Sequence, residues 1–113
     1  MIERYSFGKI VIDGVEYTRD LKIIKGKVVP DWWRKSGHRV EISDVEDILK
    51  ERPRIVVLGK GKPGLMKPAE SLRIFFQENR IELIVENTSK AIQTYNWLYK
   101  EGRNVAAGFH LTC

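Results

Sequence analysis

Ile55-Val-Val-Leu58 runs directly into Gly59-Lys-Gly-Lys-Pro-Gly64, and a helical pattern opens at Pro68. A continuous apolar run of this length reads as a strand buried on both faces. A glycine-rich turn between a strand and a helix is where backbone N–H groups can gather around an anion. The alternation continues downstream. Arg54–Leu58 reads as strand, Pro68–Asn79 as helix with Pro68 in its first turn, and Ile81–Val85 as strand. Ser89–Glu101 reads as helix with Gly102 beyond its end, and Asn104–Leu111 as a last strand. Apolar strands separated by helices specify a parallel βαβαβ unit.

Upstream, the pattern changes to antiparallel sheet. Phe7 to Ile12 alternates, Asp13-Gly14 is a hairpin turn signal, and Val15-Glu-Tyr17 returns. Leu21–Ile24 and Lys27–Val29 flank Lys25-Gly26 as a second hairpin, and 30–39 reads as loop. Ser43 with Glu46 three residues on forms a capping box for a short helix, with Val45, Ile48 and Leu49 as its buried stripe and Pro53 as its stop. The fold class is therefore α/β. A mixed sheet has an N-terminal antiparallel hairpin region and a C-terminal βαβαβ unit, with helices packed on the sheet, in a single domain over 1–113.

Composition narrows the function classes. A chain of 113 residues fits one domain. The formal net charge of +5 is moderate and attracts acidic partners only weakly. One cysteine excludes an intrachain disulfide framework and a cysteine-based zinc cluster, and points to a reducing compartment. The opening Met1-Ile-Glu-Arg-Tyr-Ser6 lacks the apolar run of a signal peptide, and no segment reaches the length of a membrane span. A cytoplasmic location is expected, with no membrane partner. Twelve isoleucines with many Lys and Glu residues resemble a thermophile's composition.

The glycine loop is the first candidate site. Strand, Gly-x-Gly-x-x-Gly, helix is the outline of a dinucleotide fingerprint, and Glu86 falls 22 residues after Gly64. Pro63 lacks the N–H that a phosphate cradle uses, and the third glycine precedes the helix, so no nucleotide cofactor is expected. A small anion on Gly59, Lys60, Gly61, Lys62 and Gly64 stays open beside a plain structural turn. Asn87, Thr88, His110 and Thr112 join it if the last strand is parallel to its predecessors, because ligands bind outside the carboxyl edge of such sheets. A Cys113–His110 nucleophile pair is disfavoured by strand pleating, which points the two side chains to opposite faces. Two histidines give a transition metal little support.

Two surface features remain. Leu72, Phe75 and Phe76 form the core stripe of one helix; Ala91, Ile92, Tyr95, Leu98 and Tyr99 form that of the other. Ile74 and Trp97 project about 160–200° away from those stripes at 100° per residue. A covering layer or a subunit or partner interface accounts for them. The segment 22–39 carries six basic residues around Trp32 and Trp33, the composition of a single-strand nucleic-acid platform, but no nucleic-acid motif accompanies it. Core tryptophans with a solvated basic rim are the plainer account.

Several of these pieces also carry a resemblance. Tyr17-Thr-x-Asp20 follows the first hairpin, with Trp33-Arg34 and Gly37-His38 in the loop, and Ile55–Leu58 leads into Gly59-x-Gly61. Ala91, Tyr95 and Asn96 lie on the last helix, and the chain ends Phe109-His-Leu-Thr-Cys113. This set resembles the adipogenesis-associated domain family, a domain of unknown function. Its members occur in archaea, bacteria and eukaryotes, and a mitochondrial relative assists assembly of respiratory complex I. Many members carry Gly-Thr-Gly where this chain has Lys60 in the middle. The resemblance implies a compact α/β domain with a mixed sheet, no established catalysis, and an interaction role. The expectation is a non-enzymatic interaction or assembly protein whose partner is another protein or a second copy, with Ile74 and Trp97 as its interface. A small-molecule or anion binder, or an enzyme, using the glycine loop is the alternative. Nucleic-acid binding through 22–39 is third.

Overall fold

The computed structural model describes residues 1–113. The chain opens with a three-stranded antiparallel meander: β1 (Ile2–Ser6), β2 (Lys9–Ile12) and β3 (Val15–Tyr17). Asp13-Gly14 turns β2 into β3 as the sequence predicts; φ is +49° and +81°, the pair of positive values that a tight hairpin turn uses. The first strand corrects the sequence reading. Phe7 and Gly8 do not begin a strand; they form the β1–β2 turn, with Phe7 exposed. Glu3, Arg4 and Ser6 face water, so β1 shows no apolar alternation to read.

The second hairpin is β4 (Leu21–Ile24) and β5 (Lys27–Val29). After β6 (Arg39–Val40), a tight turn over Ile42–Val45 leads into α1 (Glu46–Lys50). Its cap lies two residues earlier than expected. The Asp44 carboxylate, not the Glu46 one, reaches back, accepting the Glu41 N–H at 2.8 Å. Next come β7 (Ile55–Gly59), β8 (Lys67–Pro68), α2 (Glu70–Glu78), β9 (Glu82–Glu86), α3 (Thr88–Lys100) and β10 (Val105–Phe109). Pro68 is not the first residue of α2, because it pairs with Val40 in a short parallel bridge of β8 to β6, and Ala69 caps the helix instead.

The main sheet has the order β5-β4-β10-β7-β9. β7 is parallel to both neighbours, Val57 facing Ala107 on β10 and Ile84 on β9, and β10 is antiparallel to β4. Strand pleating divides the core in two. Ile55, Val57, Val105, Ala107 and Phe109 pack under α3 and the meander, through Ala91, Ile92, Tyr95, Leu98, Ile10 and Ile12. Val56, Leu58 and Ala106 pack under α1 and α2, through Ile48, Leu72 and Phe76, with Trp32 and Met66. The helices thus lie on opposite faces. Tyr99 is not a core residue; it is exposed and stacks on Tyr95 with ring centroids 5.8 Å apart. No helix is long and apolar enough to cross a membrane.

Candidate functional site

The carboxyl ends of β7 and β10 bring the glycine loop, Asn87, Thr88 and His110 together. A side chain on Gly61 would meet the Thr112 carbonyl and the His110 ring, and one on Gly64 would meet Asn87 Oδ1. Both glycines hold positive φ, +97° and +112°. Most of the loop's backbone N–H groups are turned to protein oxygens. Lys60 N–H donates to the Glu86 carbonyl at 2.9 Å, Lys62 N–H to Thr112 at 2.9 Å and Leu65 N–H to Cys113 at 2.8 Å. Gly61 N–H donates to Thr88 Oγ1 at 2.8 Å, and that hydroxyl donates to the His110 carbonyl at 2.6 Å. A backbone cradle needs several free N–H groups on one side. Here they fasten the chain terminus to the sheet.

Beneath this fastening lies a polar cluster in which His110 meets Asp20 and Arg34, two residues that the sequence marks only through the family resemblance. Asp20 Oδ2 accepts from Arg34 Nη2 and from His110 Nδ1, both at 2.7 Å, and Asp20 Oδ1 accepts the Leu111 N–H at 2.8 Å. Arg34 is 4% exposed, His110 8% and Asp20 16%. Burial opposes ionisation of Asp20, but the hydrogen bonds from His110, Leu111 and Arg34 outweigh it and hold the carboxyl below its ordinary value. The guanidinium of Arg34 lies over the Trp32 ring, 4.6 Å from its centroid, and also donates to the Gly37 carbonyl. Trp32 Nε1–H donates to the Asp44 carbonyl at 2.9 Å, and its ring fills the space left by Gly108.

This cluster ties three segments together: the β3–β4 connection, the loop after β5 and the chain terminus. The carboxylate draws the His110 proton to Nδ1, which leaves a buried, unpartnered Nε2. His38 meets the His110 ring edge-on at 5.6 Å, and Cys113 Sγ lies 4.0 Å from His38 Nε2, so the terminal thiol faces His38 and not His110. None of the five main surface clefts is lined by Asp20, Arg34, Thr88 or His110. The arrangement works as a clamp.

The basic, tryptophan-containing segment is divided between core and surface. Trp32 is in the core while Trp33 is 75% exposed. Arg34 belongs to the clamp, Lys22 pairs with Asp47 at 2.6 Å, and Lys25 pairs with Glu51 at 2.9 Å. A stacking surface needs adjacent aromatic faces and free cations.

Ile74 and Trp97 are both outward, 47% and 61% exposed. They lie on opposite faces of the sheet, yet both border its open edge. Ile74 shares a groove with Ile81 and Leu83 at β9. On the other face Thr94 Oγ1 donates to Glu86 of β9 at 2.7 Å, and Trp97 follows three residues on, along the same flank of α3. β9 has no strand on its outer side. Glu82 N–H and the Glu86 carbonyl both point inward, bonding Arg54 and Lys60. In a parallel strand, alternate residues bond to opposite sides. Leu83 and Val85 therefore direct their N–H and C=O groups outward, away from β7.

Residues 2–110 match the family described as a protein of unknown function (DUF498/DUF598). The chain belongs to the DUF498/DUF598 family. The match carries no adipogenesis label, so the resemblance holds at this coarser level. Among solved structures, a protein called MT938 is 28% identical with a TM-score of 0.82, covering 100% of this chain and 98% of that one. A conserved hypothetical protein from Pyrococcus horikoshii OT3 is 22% identical with a TM-score of 0.85, covering 100% and 99%. A protein from Bartonella henselae described as an outer membrane protein is 23% identical with a TM-score of 0.80, covering 99% and 94%. The last two likenesses speak for the fold of this DUF498/DUF598 member alone.

Proposed function

We propose that this protein is a non-enzymatic binding protein of the assembly type, which captures an extended segment of a partner protein on the outer edge of β9. The observation that supports this reading is the unpaired edge flanked by Ile74 on one face and Trp97 on the other. Open strand edges are templates for strand addition, and natural proteins usually blunt them. Here Glu82 and Glu86 guard the two ends of the edge, and Leu83, Ile84 and Val85 between them are apolar and half-buried.

Charge selects the partner. Two copies pairing antiparallel about Ile84 would set Glu82 opposite Glu86 of the second copy, twice. Like charges directly opposite destabilise a strand pair. A foreign strand with Lys or Arg at those positions and apolar residues between them turns the same contacts favourable.

A fluorescent peptide, Lys-Val-Thr-Val-Lys with short polar flanks, tests this by anisotropy. Val85→Pro removes an outward N–H without touching the internal ladder, and edge strands tolerate proline. The variant should keep its melting temperature within a few degrees and bind at least tenfold more weakly. Trp97→Ala should weaken binding similarly. Equal affinity for native protein and Val85→Pro would overturn the proposal.

A further inference from the structure

We infer a second site at the opposite end of the sheet, independent of the β9 edge: a pocket for an organic anion with an apolar body. A cleft of about 660 Å³ opens below the amino ends of β7 and β9. That size lies within the range of about 300–1,000 Å³ in which small-molecule sites fall. Arg52, Arg54 and Arg80 surround it, and Leu49, Pro53, Phe75 and Ile81 supply an apolar floor. No acidic side chain lines it. Elsewhere in the chain Arg19, Arg34 and Arg39 have carboxylate partners, whereas Arg4, Arg73 and Arg103 stand singly on the surface. The three arginines of the cleft have no carboxylate partner.

The backbone adds an independent argument. Arg52 and Arg80 hold left-handed conformations, φ +50° and +56°, each directly after the cap of a helix, α1 or α2. Glycine is the residue this position favours, because a side chain there crowds the following carbonyl. α3 ends in that ordinary way, with Gly102 at φ +76°. A helix's negative end welcomes a cation, and Lys50 in α1 and Lys100 in α3 supply one within the last turn, while α2 has none there. That preference does not require arginine at the one strained position. Two helices nevertheless place arginine there, and both arginines line the same cleft. Strain kept at a concave, uncompensated cationic site marks a ligand site. Planar guanidinium forks suit carboxylate or phosphate oxygens, and Phe75 with Leu49 suits a ring or chain attached to them.

The probe is anilinonaphthalene sulfonate, titrated by fluorescence into the full chain, with uncharged phenylnaphthylamine as control. Native protein should bind the sulfonate saturably, one to one, and tighter than the control. Arg52→Gly/Arg80→Gly should bind it at least tenfold more weakly and melt at a higher temperature than native protein, since glycine relieves both left-handed positions. Val85→Pro should bind it like native protein, which separates this site from the strand edge. Three results would each overturn the inference: no saturable binding by native protein, equal binding by the double glycine variant, or equal affinity for the uncharged control.

Discussion

Asp20 accepts three hydrogen bonds from two other segments, and its two side-chain partners, Arg34 and His110, are held out of water. Removing one member of a buried pair leaves the other charge uncompensated. Asp20→Asn should cost about 3 kcal/mol of stability, measured by urea unfolding. The pH dependence has a definite sign. Folding lowers the proton affinity of Asp20, so its contribution is complete above the ordinary carboxylate range and is lost as pH falls below it. The stability gap between native protein and Asp20→Asn should narrow from about pH 7 to about pH 3; a gap that widened in acid would contradict the assignment. Gly61 makes a second residue-scale case. Its φ is +97°, and a β-carbon would strike the Thr112 carbonyl, so Gly61→Ala should destabilise by ~2 kcal/mol or more and free the chain terminus to proteolysis. His110 lies beside the loop, where a parallel last strand puts it. Sequence reading did not find Asp20 and Arg34 as partners of His110, because they lie 90 and 76 residues away and no local pattern encodes that approach.

At the scale of elements, the βαβαβ half was legible because each strand is an apolar run and each helix has a striped face. β1 was not, because Glu3, Arg4 and Ser6 hide it. The start of α2 was misplaced because Pro68 serves a two-residue parallel bridge, which proline satisfies without its missing N–H being needed by the helix. β9 is the element on which the proposed function rests. Its parity gives a sharp contrast: Ile84→Pro removes an inward donor to β7, whereas Val85→Pro removes an outward one. Ile84→Pro should lower stability by about 3 kcal/mol, while Val85→Pro should cost under about 1 kcal/mol, compared by thermal unfolding. Equal losses would mean that the outer edge of β9 is already bonded.

For the whole molecule, the main sheet separates two cores and sends α2 and α3 to opposite faces. The sequence identified Ile74 and Trp97 as outward-facing but could not show their relation, which depends on the order β10-β7-β9 placing one open edge between them. That order also puts the glycine loop at one end of the sheet and the arginine cleft at the other. The most direct test of the central claim is amide hydrogen exchange at Leu83 and Val85, by NMR, with and without the Lys-Val-Thr-Val-Lys peptide. An open edge predicts fast exchange at both amides in free protein, slow exchange at Ile84 between them, and strong protection of Leu83 and Val85 when peptide binds. Slow exchange at Leu83 and Val85 in the free monomer, or no added protection in the complex, would contradict it.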